Sequence, residues 1–94
     1  MAYQPHQLSA LSYVNGFTLW HYRTGDGPHE VEADGYFDLA VRMLRVGDAI
    51  MVNAGVNPGR PPSNGTLWVV TNTGERVGVA GRLVTTPFTH VAGG

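Results

Sequence analysis

The amino-acid sequence predicts an all-β fold, a small β-barrel or sandwich with one short helix near residues 37–45. Short runs rich in aromatic and β-branched residues recur along the chain, and turns rich in Gly, Asn and Pro separate them. The helix is predicted because apolar residues recur at the i, i+3, i+4, i+7 spacing of one helix face. These residues are Phe37, Ala40, Val41 and Leu44.

Residues 1–15 show no regular pattern and are predicted to be an N-terminal arm, with residues 16–94 forming a single β domain. A frayed terminus is the alternative. We favour an arm that orders on a neighbouring protein, because Tyr3, Leu8 and Leu11 make the segment more apolar than a discarded tail needs to be.

The first strand of the β domain is predicted to follow Gly16 and to have two apolar faces. Alternation places Phe17 and Leu19 on one face and Trp20 and Tyr22 on the other. Because both faces are apolar, we expect a core on one side and a partner or covering segment on the other. We assign Phe17 and Leu19 to the core. A short edge strand is predicted further on, at residues 31–34.

A tight turn at residues 46–48 leads into the strand around which the remaining strands are predicted to assemble. Asp48 is expected to bond back to the backbone of this turn, as Asp commonly does. In the strand itself, Ile50 and Val52 face the core and Met51 faces the other way.

Three further strands are predicted at residues 66–71, 76–80 and 82–86, with a hairpin turn at residues 72–75. The Pro- and Gly-rich stretch at residues 54–65 is expected to be an exposed connector. The predicted core consists of Phe17, Leu19, Ile50, Val52, Leu67, Val69, Val77 and Val79.

Composition narrows the class of protein. With 94 residues, a lone monomer would be marginally stable. The absence of cysteine removes disulfides and thiolate zinc sites, so oligomerisation or docking on a larger assembly is left as the stabilising supplement. All six basic residues are Arg, which interfaces favour over Lys, although a GC-rich genome produces the same bias. No signal peptide or membrane span is visible, which predicts a soluble protein made in a cytoplasm.

No catalytic, metal or cofactor motif is visible, so an enzyme is the weaker class. The serines lack a GxSxG context, and no Gly-rich segment ends in the Gly-Lys-Ser/Thr of a phosphate loop. The histidines form neither an HxH nor an HxxxH pair. They are His6, His21, His29 and His90.

Nucleic-acid binding is disfavoured by the charge distribution. The net charge is −1 and the Arg residues are dispersed, whereas phosphate contacts need clustered cations. The alternative is a single-strand binder that stacks bases on Trp20, Tyr22 or Trp68. We favour a structural role for these aromatic residues.

Four segments in order carry the pattern GFTLWxY…GYF…MLxVGDxIxV…VV. They lie at residues 16–24, 35–37, 43–52 and 66–70. This ordered series resembles small structural proteins of tailed phages and gene transfer agents, of the capsid decoration (cement) or head-spike type. The resemblance covers about residues 16–80, and it leaves out both termini and the Pro-rich loop.

The resemblance implies a non-enzymatic virion structural protein. The expected function is capsid decoration on the outer surface of the phage head, where the protein, expected as a homotrimer, binds and stabilises the major capsid protein shell. A head-spike base, or a fibre or tail attachment module of the virion, is the alternative. No cofactor, metal, nucleic acid or membrane is expected as a partner. The interface candidates are Tyr3, Leu8, Leu11, Trp20, Tyr22, Arg60 and Trp68.

Overall fold

The structure, a computed structural model, describes residues 3–85. In chain order its elements are β1 (Leu8–Val14), β2 (Phe17–Arg23), α1 (Pro28–Val31), β3 (Ala49–Ala54), β4 (Ser63–Asn72), β5 (Val77–Gly81) and β6 (Val84–Thr85). Two 3-10 turns, Pro5–Gln7 and Asp38–Ala40, accompany them. No helix within residues 3–85 is long and apolar enough to cross a membrane.

The strands form one six-stranded sheet, and the predicted all-β class is confirmed. Its order is β1-β2-β3-β4-β5, with β6 pairing with β4. Strands β1 and β5 lie at opposite edges and do not pair with each other, so the described strands form one open sheet. The sequence had suggested a barrel or sandwich. Only β2 and β3 pair in parallel; the other pairs among the described strands are antiparallel. A parallel pair needs a crossover connection, and residues 24–48 supply it.

The crossover covers one face of the sheet, which we call the inner face. Val31, Phe37, Ala40 and Leu44 of the crossover are buried in the core cluster. They pack there with inner-face residues that include Tyr22, Ile50, Val52, Leu67 and Val69.

The helix predicted near residues 37–45 is a shorter element. A 3-10 turn spans Asp38–Ala40, and the backbone N–H of Leu44 still donates to the carbonyl of Ala40 at 3.0 Å. The predicted apolar stripe is buried, yet a short isolated helix gains little from its own hydrogen bonds. Packing against the sheet therefore sets the backbone path here.

The prediction of an edge strand at residues 31–34 is wrong, because the helix α1 ends at Val31 and no strand follows it there. Pro28 stands in the first turn, where its missing N–H costs nothing. The Glu30 side chain accepts a hydrogen bond from the backbone N–H of Gly27 at 2.9 Å. These local features start a helix that buries Val31 completely.

The second half of the segment assigned to an N-terminal arm, Leu8–Val14, is a strand of the sheet. Strand β1 pairs antiparallel with β2, with Val14 opposite Phe17. Asn15 and Gly16 connect them with φ angles of 50° and 82°. Positive φ at both central residues is the signature of a type I′ hairpin turn, for which Asn-Gly is the favoured sequence.

The faces of β2 are reversed relative to the prediction. Trp20 and Tyr22 are buried on the inner face, whereas Phe17 is exposed and Leu19 is half-buried on the opposite face. The assignment failed because both faces are apolar, so alternation alone could not tell them apart. The other predicted core residues are buried, with Val79 partly so, and they are Ile50, Val52, Leu67, Val69, Val77 and Val79.

The C-terminal strands agree with the prediction in number and differ in their bounds. Strand β4 begins at Ser63, which shortens the connector before it, and β6 is confined to Val84–Thr85. The predicted end of the last strand at Thr86, and the tail after it, lie outside the described residues.

Candidate protein-binding face

The face of the sheet opposite the crossover carries a group of exposed apolar side chains. We call it the outer face. Four of these side chains retain between 38% and 49% of their solvent exposure, and the fifth, Leu19, is half-buried. The outer-face residues are Phe17, Leu19, Met51, Trp68 and Val70.

Strand register brings these residues together. Leu19 lies beside Ala49 on β3, and Ala49 lies beside Trp68 on β4. The small Ala49 is itself almost fully buried in this row. The ring of Phe17 packs against Trp68, with ring centroids 6.4 Å apart and planes inclined by 39°. The indole of Trp68 is therefore half exposed while it is supported by an aromatic neighbour.

The outer face becomes polar toward the other end of the strands. His21 and Asn53 are hydrogen-bonded at 2.7 Å, and the Asn53 amide donates to the side chain of Asn64. Arg23 lies beside Asn53 at this end. The face therefore combines an apolar, aromatic half with a half rich in amides and hydrogen-bonding groups.

The buried carboxylate of Asp48 fixes which side of β2 faces outward. Its Oδ1 accepts a hydrogen bond from the backbone N–H of Thr18 at 3.0 Å. Its Oδ2 accepts from the indole Nε1 of Trp20 at 3.1 Å and from the backbone N–H of Arg45 at 3.0 Å. The bond to Arg45 confirms the predicted contact with the turn. Since Trp20 is held inward, Phe17 and Leu19 must point outward.

A second network, which is partly buried, holds Tyr22 and Tyr36 on the inner face. The hydroxyl of Tyr36 donates to Asp26 at 2.6 Å and lies 2.8 Å from the hydroxyl of Tyr22. The Tyr22 hydroxyl in turn accepts from the backbone N–H of Gln4 at 2.9 Å. Burial, and then the hydrogen bond to Asp26, raise the pKa of Tyr36 well above its usual range.

An aromatic cluster surrounds this network. Tyr3 stacks on Tyr22 with ring centroids 5.5 Å apart and meets Phe37 edge-on. Burial, and then the neighbouring Tyr22, raise the pKa of Tyr3. These aromatic rings join the N-terminal segment to the crossover.

Four of the seven interface candidates are therefore corrected to core residues. Tyr3, Leu8, Trp20 and Tyr22 are buried, because their rings and side chains pack on the inner face. The other three, Leu11, Arg60 and Trp68, are exposed.

The three exposed candidates lie in different places. Trp68 is at the centre of the outer face, Leu11 is on the edge strand β1, and Arg60 lines a polar groove together with Asn57. The structure therefore does not join them into one surface.

Sequence reasoning missed Met51, Val70 and Phe17 as surface residues of one patch. Met51 was correctly placed opposite Ile50, and Val70 alternates with Val69 in the same manner. This alternation was the available signal. The missing information was the orientation of β2, which depends on the distant Asp48.

Among residues 3–85 no three His, Asp or Glu side chains are grouped closely enough to hold a metal ion. Fold and site together define a small all-β protein with one sheet face covered by its own crossover and one apolar face left open. In comparisons with known proteins, no protein-family model, curated protein sequence or solved structure matches the chain.

Proposed function

We propose that this protein is a capsid decoration protein that binds the major capsid protein shell of a phage head through its outer face. The observation that carries the proposal is the open apolar half of the sheet, centred on Trp68 and Phe17. Contiguous exposed apolar surface on a small protein marks an interaction site.

The chemistry of the face suits protein rather than nucleic acid. Aromatic residues and Met are enriched in protein interfaces, where a few buried aromatic anchors contribute most of the binding energy. The five outer-face residues include two aromatics and one Met, and no charged side chain is among them. The polar half, with Arg23, Asn53 and Asn64, suits the hydrogen-bonding rim of such an interface.

The choice of partner rests on the resemblance to virion structural proteins. All five outer-face residues lie inside three of the four segments that carry that resemblance, at residues 16–24, 43–52 and 66–70. Phe17, Leu19 and Val70 are specified positions of the pattern, whereas Met51 and Trp68 lie within its segments at positions that the pattern leaves open.

Stabilisation of the shell needs no chemical reaction. A protein that binds the assembled shell and not its dissociated subunits shifts the equilibrium toward the assembled state. The gain grows with the logarithm of the free protein concentration over its dissociation constant. Decoration is therefore expected to raise the temperature at which heads come apart.

A pair of matched variants tests the role of the outer face. We expect Trp68→Ser to weaken binding to bare, expanded heads of the source phage by at least about tenfold, because a central aromatic anchor is lost. Leu39→Ser is the control: Leu39 is 77% exposed on the crossover, away from the outer face. Co-sedimentation at a series of protein concentrations measures both. Equal binding by both variants would reject the outer face as the binding surface.

Labelled electron microscopy of whole particles separates the proposal from the attachment-module alternative. An even distribution over the head supports decoration. Labels confined to a vertex, a spike or the tail would replace the decoration proposal with the alternative.

A further inference from the structure

Strand β1 forms an open edge of the sheet. Its partner is β2 on one side. Apart from the backbone N–H of Leu8, which donates to the carbonyl of Pro5, no backbone hydrogen bond within residues 3–85 joins β1 to a segment other than β2. Residues 9–14 are exposed throughout. Leu11, Tyr13 and Val14 keep between 56% and 62% of their exposure.

This edge has only one of the usual protections against pairing with another strand, a bulge. Native proteins place charges, prolines or bulges on exposed edges. Strand β1 has the sequence LSALSYV, which contains no charge and no proline. Its one irregularity is the register shift between Ala10 and Ser12.

The opposite edge of the sheet, strand β5, is better protected against pairing with another strand. The backbone N–H of Val77 in β5 already donates to the carboxylate of Asp38 at 2.9 Å. The same strand ends at Gly81, whose φ of 139° departs from regular strand geometry. Exposed arginines flank β5 on both sides, Arg76 before it and Arg82 after it.

We propose that β1 pairs antiparallel with the β1 of a second copy of this chain about a two-fold axis. The two sheets then form one continuous sheet across the dimer. An uncharged strand suits this partner, because two-fold antiparallel pairing sets residues at the axis against their own copies, where a charge would meet a like charge. The pairing satisfies the free backbone groups of both copies at once.

Side chains on both faces of β1 gain cover from the second copy. Tyr13 lies opposite the buried Thr18, on the inner side, yet Tyr13 is exposed because the crossover does not extend over it. Val14 lies opposite Phe17 on the outer side. Antiparallel pairing about an axis within residues 9–12 sets Tyr13 and Val14 against the first half of the partner's β1, which adds apolar burial to the backbone bonds.

This arrangement differs from the trimer expected from the resemblance. A three-fold ring made by strand pairing requires β1 to pair with a different edge of the next copy, and the described part of the sheet offers only the protected β5 edge and the two-residue β6. The inference concerns the free protein and does not depend on capsid binding.

The mass in solution tests the proposal first. Sedimentation equilibrium of the purified full chain should give twice the chain mass of 10.1 kDa. We expect Ser12→Lys to raise the dimer dissociation constant by at least about tenfold, since a charge on an edge strand disfavours strand pairing and the dimer brings both ammonium groups onto adjacent strands. Ala80→Lys, an exposed position on β5, is the matched control and should leave it unchanged. A monomer or trimer mass for the wild type, or equal effects of the two variants, overturns the proposal.

Single-cysteine cross-linking tests the two-fold symmetry independently. The natural chain has no cysteine, so any cross-link reports the introduced residue. Cysteine is placed singly at Ser9, Ala10, Leu11 or Ser12, and each variant is oxidised under mild conditions. Two-fold pairing predicts that the position nearest the axis forms a disulfide-linked dimer with itself, because the two β-carbons come within about 4 Å there. Cross-links only in mixtures of a β1 cysteine with Ala80→Cys would show head-to-tail pairing and overturn the proposal.

Discussion

At the scale of single residues, one buried carboxylate determines which surface the protein presents. Asp48 is almost fully buried and accepts hydrogen bonds from β2, from the indole of Trp20 and from the preceding turn. A carboxylate removed from water is tolerated only when such donors satisfy it. These donors lie up to 30 residues away in sequence, so Asp48 ties the start of β2 to the start of β3.

Removal of this carboxylate should destabilise the fold strongly. Asp48→Ala leaves three donors without their acceptor, and each buried unsatisfied donor costs about 1–3 kcal/mol. We expect the free energy of unfolding to fall by about 3 kcal/mol or more in urea denaturation. Asp34→Ala, at an exposed position in a turn, is the control and should change it by less than about 0.5 kcal/mol. Similar losses in both variants would show that the Asp48 network contributes little.

The raised pKa of Tyr36 predicts that the fold loses stability at alkaline pH. The pKa of Tyr36 is raised above its ordinary value of 10.0 by burial and by Asp26. Above pH 10 the unfolded chain therefore loses a proton that the folded chain keeps, and the free energy of unfolding falls as the pH rises. Below that pH both states keep the proton, so Tyr36 contributes no pH dependence to the free energy of unfolding. Urea denaturation between pH 9 and 11 should show a smaller decline for Tyr36→Phe than for the wild type; equal declines would contradict the assignment.

At the scale of elements, the hairpin of β1 and β2 shows what local sequence can and cannot reveal. The Asn15-Gly16 dipeptide between two apolar stretches is the strongest short-range signal for a hairpin, and it was present in the sequence. It was overlooked because the residues before it alternate poorly. The bulge between Ala10 and Ser12 interrupts the period of two, so β1 lacks a regular strand pattern.

The hairpin turn should be sensitive to loss of its glycine. Gly16→Ala introduces a β-carbon at a φ of 82°, and we expect a loss of about 1–2 kcal/mol in the free energy of unfolding. The added atom meets no other group within 4 Å, so the cost is that of backbone conformation alone. Gly27→Ala is the control, since its φ is −71°; a smaller loss of about 0.5 kcal/mol is expected there, because alanine is a poorer N-cap than glycine. Thermal and urea denaturation of the two variants provide the comparison, and equal stabilities would contradict the type I′ turn.

At the scale of the whole molecule, topology explains why one face of the sheet is open. The parallel pairing of β2 and β3 forces the chain through a crossover, and that crossover buries Val31, Phe37 and Leu44 on the inner face. With 94 residues the chain has only one such connection among its described elements. The outer face therefore keeps Phe17, Trp68 and their neighbours exposed.

Sequence reasoning reached the fold class and part of the candidate site. Alternation placed Ile50 and Val52 inside and Met51 outside, as the structure has them. It failed for Trp20, because an aromatic strand with two apolar faces gives no preference until the acceptor of the indole is known. The candidate site depends on that long-range contact, so its residues could not be assembled from local patterns.

The number of copies bound to a bare phage head tests the central claim most directly. Purified protein is titrated against bare, expanded phage heads, and bound protein is counted against major capsid protein in the sedimented particles. A decoration protein should bind saturably, in fixed proportion to the capsid subunits, and its bound heads should resist heat better than bare heads. Absence of binding would contradict the decoration proposal. Saturation at only the few copies that a vertex or a tail can hold would contradict it as well.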